Sequence, residues 1–146
     1  MKVSFKTFSE LTTKELYQIL QLRSEVFVVE QNCVYQDIDG KDEKAIHIIG
    51  VVQNKIVAYT RCFKPGEYFK EASIGRVVVK KTERKLKRGN QIMIHSIKVI
   101  EKLFQTNTII ISAQSHLIFF YNNLGFYSVG NEYLEDGIPH IEMIKN

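Results

Sequence analysis

The sequence has few of the features that mark membrane, secreted or metal-binding proteins. Its 146 residues contain no apolar run close to the roughly 18 residues that a membrane-spanning helix needs. The first residues, MKVSFKTF, lack the apolar core of a secretory signal. Only two cysteines are present, Cys33 and Cys62, and they lie far apart without a CxxC pair. This usage favours free thiols and a cytoplasmic protein.

Several ligand-binding motifs are also missing. Neither GxxxxGK followed by Ser or Thr nor GxGxxG occurs, which excludes the two common phosphate loops. The four histidines are dispersed, and no HExxH or Cys/His spacing is present, so we expect no metal site. The acidic stretch YQDIDGKD is not a calcium loop, because Tyr35 and Ile46 occupy positions that require Asp and Glu.

The residues that are present predict a single α/β domain over residues 1–146. Apolar residues make up 45% of the chain and charged residues 25%, an ordinary globular composition. Alternating and helical periods predict a β-α-β-β-β-α-β-α-β-β order with a central βαβ crossover. The predicted strands are Val3–Phe8, Ala45–Val52, Ile56–Phe63, Ser73–Val79, Thr108–Ser112, Phe126–Gly130 and His140–Ile144. The predicted helices run from about Thr13 to Val29, Gly89 to Phe104 and His116 to Leu124. A Thr12–Glu15 capping box is expected to open the first helix, an apolar stripe marks the second, and Gly125 is expected to end the third. A tight connection at Asn54 and Lys55 joins the second and third strands, and the short apolar run TIIIS predicts a strand buried on both faces.

Positive charge is concentrated in one turn. The net charge is only +4, yet six of the nine residues from Lys80 to Arg88 are basic, and Glu83 is the one acid among them. The turn joins a predicted strand to a helix N-terminus, where free amides and the helix dipole favour an anion. Gly89 would let the backbone approach such a ligand closely. A solvated basic loop is the alternative interpretation.

Several long stretches resemble one family. LRSEVFVVEQNCVYQDIDGKD, AYTR, SIGRVVV, AQSHLIFFYNNLGF and YLEDGIPHIEM are similar to the ElaA-like subgroup of the GNAT superfamily of N-acetyltransferases. The resemblance runs from about Phe8 to Met143. It implies the GNAT (acyl-CoA N-acyltransferase) fold, with a mixed, mostly antiparallel central sheet, a central parallel βαβ crossover and helices on both faces.

The resemblance also implies a coenzyme site. The turn RKLKRG resembles the R/QxxGxG/A loop of the family, except that Lys87 stands where the first glycine is usual. The backbone of Val77 and Val79 would pair with the pantetheine arm of acetyl-CoA. The pyrophosphate would bind to the turn, whose residues are Arg84, Lys85, Leu86, Lys87, Arg88, Gly89 and Asn90.

Tyr121 is the predicted catalytic residue. Its spacing from Leu117 and Leu124 places it on the buried stripe of a helix, where a tyrosine more often has a structural role. The family usually has its general acid here, a tyrosine that protonates the coenzyme A thiolate. Glu30, Glu71, His116 and a water chain all remain open as the general base.

Three residues are predicted to bind the acceptor, namely Arg23, Glu30 and Arg76. Arg23 lies on the apolar stripe of the first helix, where an unpaired arginine is rare. It either lines the acceptor cleft or pairs with Glu30, Asp37 or Asp39, and the two roles are compatible. Arg61 and Arg76 present the same alternative on strands.

The predicted function is acetyl-CoA-dependent N-acetylation of a primary amine by direct attack in a ternary complex. The cosubstrate is acetyl-CoA, and the acceptor is a small-molecule or peptide amine, with no nucleic acid or membrane partner. A homodimer is left open. Three alternatives remain: an acyltransferase like the acyl-homoserine-lactone synthases, a non-catalytic coenzyme A-binding protein, and a nucleic-acid-binding protein that uses the basic turn.

Overall fold

A seven-stranded mixed sheet with helices on both faces organises the chain. The computed structural model describes Met1–Asn146, and its strand order is β1-β2-β3-β4-β5-β7-β6. The predicted fold class is confirmed, with one parallel strand pair, β4 and β5. The strands are β1 Lys2–Thr7, β2 Ile46–Val52, β3 Lys55–Phe63, β4 Ala72–Val79, β5 Ile109–Gln114, β6 Tyr127–Glu135 and β7 Ile138–Lys145. The helices are α1 Thr13–Arg23, α2 Arg88–Phe104 and α3 Ile118–Asn122.

Helix α1 covers one face of β2, β3 and β4, which we call the α1 face. The predicted capping box opens it, since the Glu15 amide donates to Thr12 Oγ1 at 3.0 Å and Thr12 donates back to the Glu15 carboxylate. The sequence predicted one helix to Val29. The α-helix instead ends at Arg23, and the chain continues as a wider π-helical segment, Ser24–Glu30.

Helices α2 and α3 cover the opposite face, the α2 face, where the larger core lies. Residues of α2 such as Ile92, Met93 and Ile100 are fully buried there against alternate residues of the sheet. Alternate residues of β5, Ile111 and Ala113, also point into this core. The sequence predicted that β5 is buried on both faces. Its burial alternates instead, because no helix covers its other face.

The central strands β4 and β5 separate after two residue pairs. Ala72 pairs with Ile109 and Ser73 with Ile110, and no further pairing follows. Both strands continue beyond these pairs, so a gap opens between them. Strand β4 also carries a bulge, where Arg76 has a left-handed backbone with φ of 50°.

The C-terminal strands are longer than predicted. They form a hairpin that turns at Asp136 and Gly137, both with positive φ. The β2–β3 hairpin likewise turns at Gln53 and Asn54, one residue earlier than predicted. Gly125 follows α3 with φ of 93°, as a helix-ending glycine should. No helix combines the length and apolar character needed to span a membrane.

Candidate active site

The backbone along the gap offers unpaired amides on the β4 side. The amide of Lys80 donates to the carbonyl of Val57 on β3 at 2.8 Å. Alternate residues of a strand direct their amides to the same side. The amides of Val77 and Val79 therefore point away from β3 and into the gap, where an extended ligand arm would add to β4 like another strand.

A turn of free amides lies where β4 leads into α2. None of the backbone N–H groups from Lys85 to Asn90 donates to another protein group. Lys85 and Lys87 have left-handed backbones, with φ of 67° and 58°, and α2 begins at the next residue, Arg88. Successive free amides in such conformations form a concave anion site, and the α2 dipole adds positive potential.

Lys87 takes a conformation that glycine adopts without steric cost. For a lysine, the left-handed region costs roughly 1–2 kcal/mol relative to the right-handed one. Gly89 has no positive φ and lies in the first turn of α2.

The basic side chains of this turn are not all free. The Arg84 guanidinium makes two bonds to the Glu30 carboxylate, at 2.6 and 2.9 Å. Arg88 contacts Glu83 at 3.1 Å, while its Nε and Nη1 are buried without a partner. Three lysines make no ion pair: Lys81, Lys85 and Lys87.

These pairings change two sequence-based assignments. Arg84, predicted to hold pyrophosphate, is engaged by Glu30 in this structure. Glu30, predicted at the acceptor site and considered as a base, is bonded to Arg84 of the basic turn. Its hydrogen bonds with Arg84 lower the pKa of the Glu30 carboxyl, so it is a poor proton acceptor.

Tyr121 lies on α3, which packs beside the start of α2. The neighbouring Phe120 ring is 3.5 Å from where a Cβ on Gly89 would lie. Tyr121 is 5% exposed, and its ring packs edge-on against Phe120 and Phe126. Burial raises its pKa, and no hydrogen bond offsets this effect. The phenol therefore stays protonated at neutral pH, with its proton not committed to another protein group.

A cluster of three arginines and three aspartates fixes the loop between α1 and β2 to the α1 face. Arg23 is fully buried and donates to Asp37 at 2.9 Å and Asp42 at 2.7 Å. Arg61 also donates to Asp42, at 3.0 Å, and makes two bonds of 2.8 Å to Asp39. Of the two roles considered for Arg23, the structural one is observed, since no acceptor can reach its guanidinium here.

Arg76 connects this cluster to the gap. It comes directly before Val77, in the bulge of β4. Its Nε donates to the Asp37 carboxylate at 2.7 Å, and its Nη2 donates to the Asp37 carbonyl at 3.0 Å. Arg76 is therefore held against the loop in this structure, and its role in binding an acceptor stays a prediction.

On the side of the sheet where α1 packs, strands β5, β7 and β6 are not covered by a helix. We call this surface the open face; it consists of the α1-side residues of β5, β7 and β6. The sequence marks His140 and Glu142 as residues that could reach the site but does not place them, and sheet order brings the open-face residues beside the gap. They include Ser112, Gln114, Val129, Tyr133, His140 and Glu142, which are related by the β5–β7 and β6–β7 registers.

Hydrogen bonds organise the open face. The Tyr133 hydroxyl and Ser112 Oγ are hydrogen-bonded, and the Tyr133 ring stacks on His140. His140 Nδ1 contacts the Ile138 carbonyl at 2.7 Å. Burial raises the pKa of Tyr133. Its hydrogen bond with Ser112 opposes this effect, and the negative charges of Glu135 and Glu142 add to it.

The loop and the C-terminal hairpin meet above the open face. Gln31 accepts a bond from Gln114 at 3.3 Å, and Cys33 Sγ contacts the Asp136 carbonyl at 3.3 Å. The loop therefore borders the open face, and we call the space between them the cleft.

Known proteins share this architecture across the whole chain. Residues 8–146 match the acetyltransferase (GNAT) domain family. The chain belongs to the GNAT acetyltransferase family. It is 43% identical to Protein ElaA of Escherichia coli strain K12 over 139 residues, which is 94% of this chain and 91% of that protein. A GNAT domain over almost all of the chain makes this protein an acyltransferase.

Solved GNAT structures agree with this placement. The crystal structure of an acyl-CoA N-acyltransferase from Pseudomonas aeruginosa is 40% identical, with a TM-score of 0.93 and full coverage of both chains. An aminoglycoside 6'-N-acetyltransferase complexed with coenzyme A shares the fold at a TM-score of 0.72 and 18% identity, covering 99% of this chain and 96% of that one.

Proposed function

We propose that this GNAT protein transfers the acetyl group of acetyl-CoA to a primary amine by direct attack in a ternary complex. The observation that carries the proposal is the open gap between β4 and β5, with the amides of Val77 and Val79 directed into it. At one end of that gap lie the free amides of residues 85–90. An extended arm ending in a diphosphate matches both features.

The turn would hold the diphosphate mainly through backbone amides. Lys85 and Lys87 supply the charge, since neither makes an ion pair within the protein. Arg88 has two buried guanidinium nitrogens without partners and completes the anion site. Arg84 contributes only if the anion displaces Glu30. That a fold relative at 18% identity is complexed with coenzyme A supports this assignment.

The chemical step requires charge stabilisation at two atoms. The amine nitrogen bonds to the thioester carbonyl carbon, and negative charge develops on the carbonyl oxygen. The amide of Val77 or Val79 would donate to that oxygen. The carbon–sulfur bond then breaks, and the Tyr121 hydroxyl would give its proton to the departing thiolate. The phenol recovers a proton from solvent, and the amine loses its extra proton to a base.

The positions of the candidate side chains favour some general bases over others. Glu30 is paired with Arg84. Glu71 directly precedes Ala72, where β4 and β5 are still paired, so it lies at the closed end of the gap. His116 is exposed at the open end, just after β5. We favour water released from the cleft, or His116 through water, as the route for this proton.

Calorimetric titration with acetyl-CoA tests coenzyme binding. Changing Lys85 and Lys87 together to alanine should weaken binding about tenfold or more, since each charged contact contributes roughly 1 kcal/mol. The matched control changes Lys14 and Lys55, two exposed lysines without ion pairs elsewhere, and should leave affinity unchanged. No binding by the unaltered protein would refute the proposal.

Tyr121→Phe tests the acid role separately. With an amine that is acetylated, the turnover rate should fall about 10²–10⁴-fold while acetyl-CoA affinity stays the same. Equal rates at every pH would exclude the phenol as the acid. Mass measurement of the product identifies the acyl group and separates N-acetylation from acyl-lactone synthesis and from coenzyme binding without turnover.

A further inference from the structure

The charge of this protein is strongly segregated along its chain. It has 20 lysines and arginines, yet none lies between Gln105 and Ile144, a stretch that contains four acids. This stretch forms β5, α3, β6 and nearly all of β7. The open face is therefore built from a part of the chain with acids and no lysine or arginine, in a protein whose net charge is positive.

One carboxylate of the open face has no partner within the protein. Glu142 makes no ion pair or side-chain hydrogen bond and is only partly buried. In the sheet it lies opposite Ser112 on β5 and opposite Val129 on β6. Strand β5 borders the gap, and neighbouring strands are about 5 Å apart. Glu142 is thus one strand away from the place where the acyl group would lie.

The arginines of the loop cluster are already paired with carboxylates. Arg23, Arg61 and Arg76 are all bound to aspartates of the loop. Lys41 lies over the ring of Tyr68, with its Nζ 4.6 Å from the ring centroid. None of the three arginines is therefore left to pair with Glu142 or to attract an anionic acceptor.

An aromatic surface adjoins this carboxylate. Tyr133 is 40% exposed, stacks on His140 with ring centroids 6.2 Å apart, and is fixed by its hydrogen bond to Ser112. Tyrosine faces attract ammonium groups, most strongly where water is partly excluded. A carboxylate and a fixed tyrosine ring together favour a cationic group over a neutral or anionic one.

We propose that the acceptor is an amine that carries a second positive charge, and that Glu142 and the Tyr133 ring bind this second cation while the reacting amine enters the gap. This inference rests on the proposed N-acetyltransferase function, which requires an acceptor in the cleft. It assigns the substrate class as diamines and other polycationic amines.

Three probes of similar length test the proposal. Hexane-1,6-diamine carries the second cation, heptan-1-amine replaces it with an apolar end, and 6-aminohexanoate replaces it with a carboxylate. Each is titrated into the protein saturated with coenzyme A, and each is also offered with acetyl-CoA while thiol release is followed. The binding measurement gives an answer even without turnover.

Glu142→Gln and Glu101→Gln are compared with the unaltered protein. Glu101 lies on α2, on the opposite side of the sheet, and its change removes the same charge. We expect the unaltered protein and Glu101→Gln to prefer the diamine to the monoamine by about 10- to 100-fold, the range for a charge-assisted hydrogen bond. Glu142→Gln should lose this preference and keep its acetyl-CoA affinity.

Three outcomes would overturn the inference: no detectable diamine binding, a preference that survives Glu142→Gln, or tighter binding of 6-aminohexanoate. Acetyl-CoA titration of the same samples separates this failure from a failure of the proposed function. Coenzyme binding without diamine preference refutes the acceptor class alone, whereas absence of coenzyme binding refutes both.

Discussion

Gly89→Ala should stabilise this protein and leave its coenzyme binding unchanged. Gly89 has an ordinary helical backbone in the first turn of α2, so no conformational need for glycine exists. A Cβ there would lie 3.5 Å from Phe120 and 3.8 Å from Val79, which is normal van der Waals contact. Alanine in place of a helical glycine gains roughly 0.5–1 kcal/mol. For a chain of this length, that is about 1–4 °C in Tm.

The same methyl group would pack against the side chains of Val79 and Phe120. Alanine also occurs at this position in the R/QxxGxG/A loop that the turn resembles. Acetyl-CoA affinity, measured by calorimetry, should therefore stay the same while Tm rises. Lys87→Gly is the companion variant, since it relieves a left-handed lysine without filling space and should retain binding. A clear loss of affinity in Gly89→Ala would refute this reasoning, because it would show that the coenzyme contacts the space beside Gly89.

Three further predictions concern the arginine–aspartate cluster. Asp42→Asn should reduce the free energy of unfolding, measured by urea titration, by about 3–5 kcal/mol, because it leaves the buried guanidinium groups of Arg23 and Arg61 without this carboxylate. A loss below about 1 kcal/mol would contradict the pairing. The free energy of unfolding should decrease in two steps as the pH is lowered. It should first decrease below about pH 6.5, because burial lowers the pKa of His47 in the folded protein. It should decrease again below about pH 4, because arginine contacts outweigh burial and lower the pKa values of Asp39 and Asp42. A flat stability profile from pH 7 to 3 would contradict this. Arg76→Ala should weaken the binding of acetyl-CoA more than that of coenzyme A. Without the bonds from Arg76 to Asp37, the β4 bulge would shift and move the Val77 amide away from the acetyl group. Equal losses of affinity for the two ligands would argue against a role of Arg76 in positioning this amide.

Features with a local cause were predictable from the sequence. The Thr12–Glu15 capping box, the stripe of α2 and the glycine after α3 each depend on residues within one or two turns, and all three are observed. The C-terminal pair of strands was predicted too short, although its Asp136–Gly137 turn is a recognised hairpin signal. Its strands lack the apolar runs that mark β3, because β6 is exposed along its whole length.

Features that depend on distant partners were not predictable. Arg84 was assigned to the pyrophosphate from its position in the turn, but its partner Glu30 is 54 residues away in sequence. Arg76 meets Asp37 across 39 residues, through a loop that has almost no regular structure. No periodic pattern encodes such pairs, because long polar side chains can reach several partners of similar energy.

The charge pattern of the open face becomes recognisable only once the order of the strands in the sheet is known. The absence of lysine and arginine between Gln105 and Ile144 is plain in the sequence, but it has no meaning while those residues are treated as separate strands. The order β4-β5-β7-β6 places them side by side next to the gap. A net charge of +4 then conceals two opposite surfaces, a basic turn suited to an anionic coenzyme and an acidic floor suited to a cationic acceptor. Opposite charges on the two sides of one gap would let each substrate recognise its own side, since each is repelled by the other's surface.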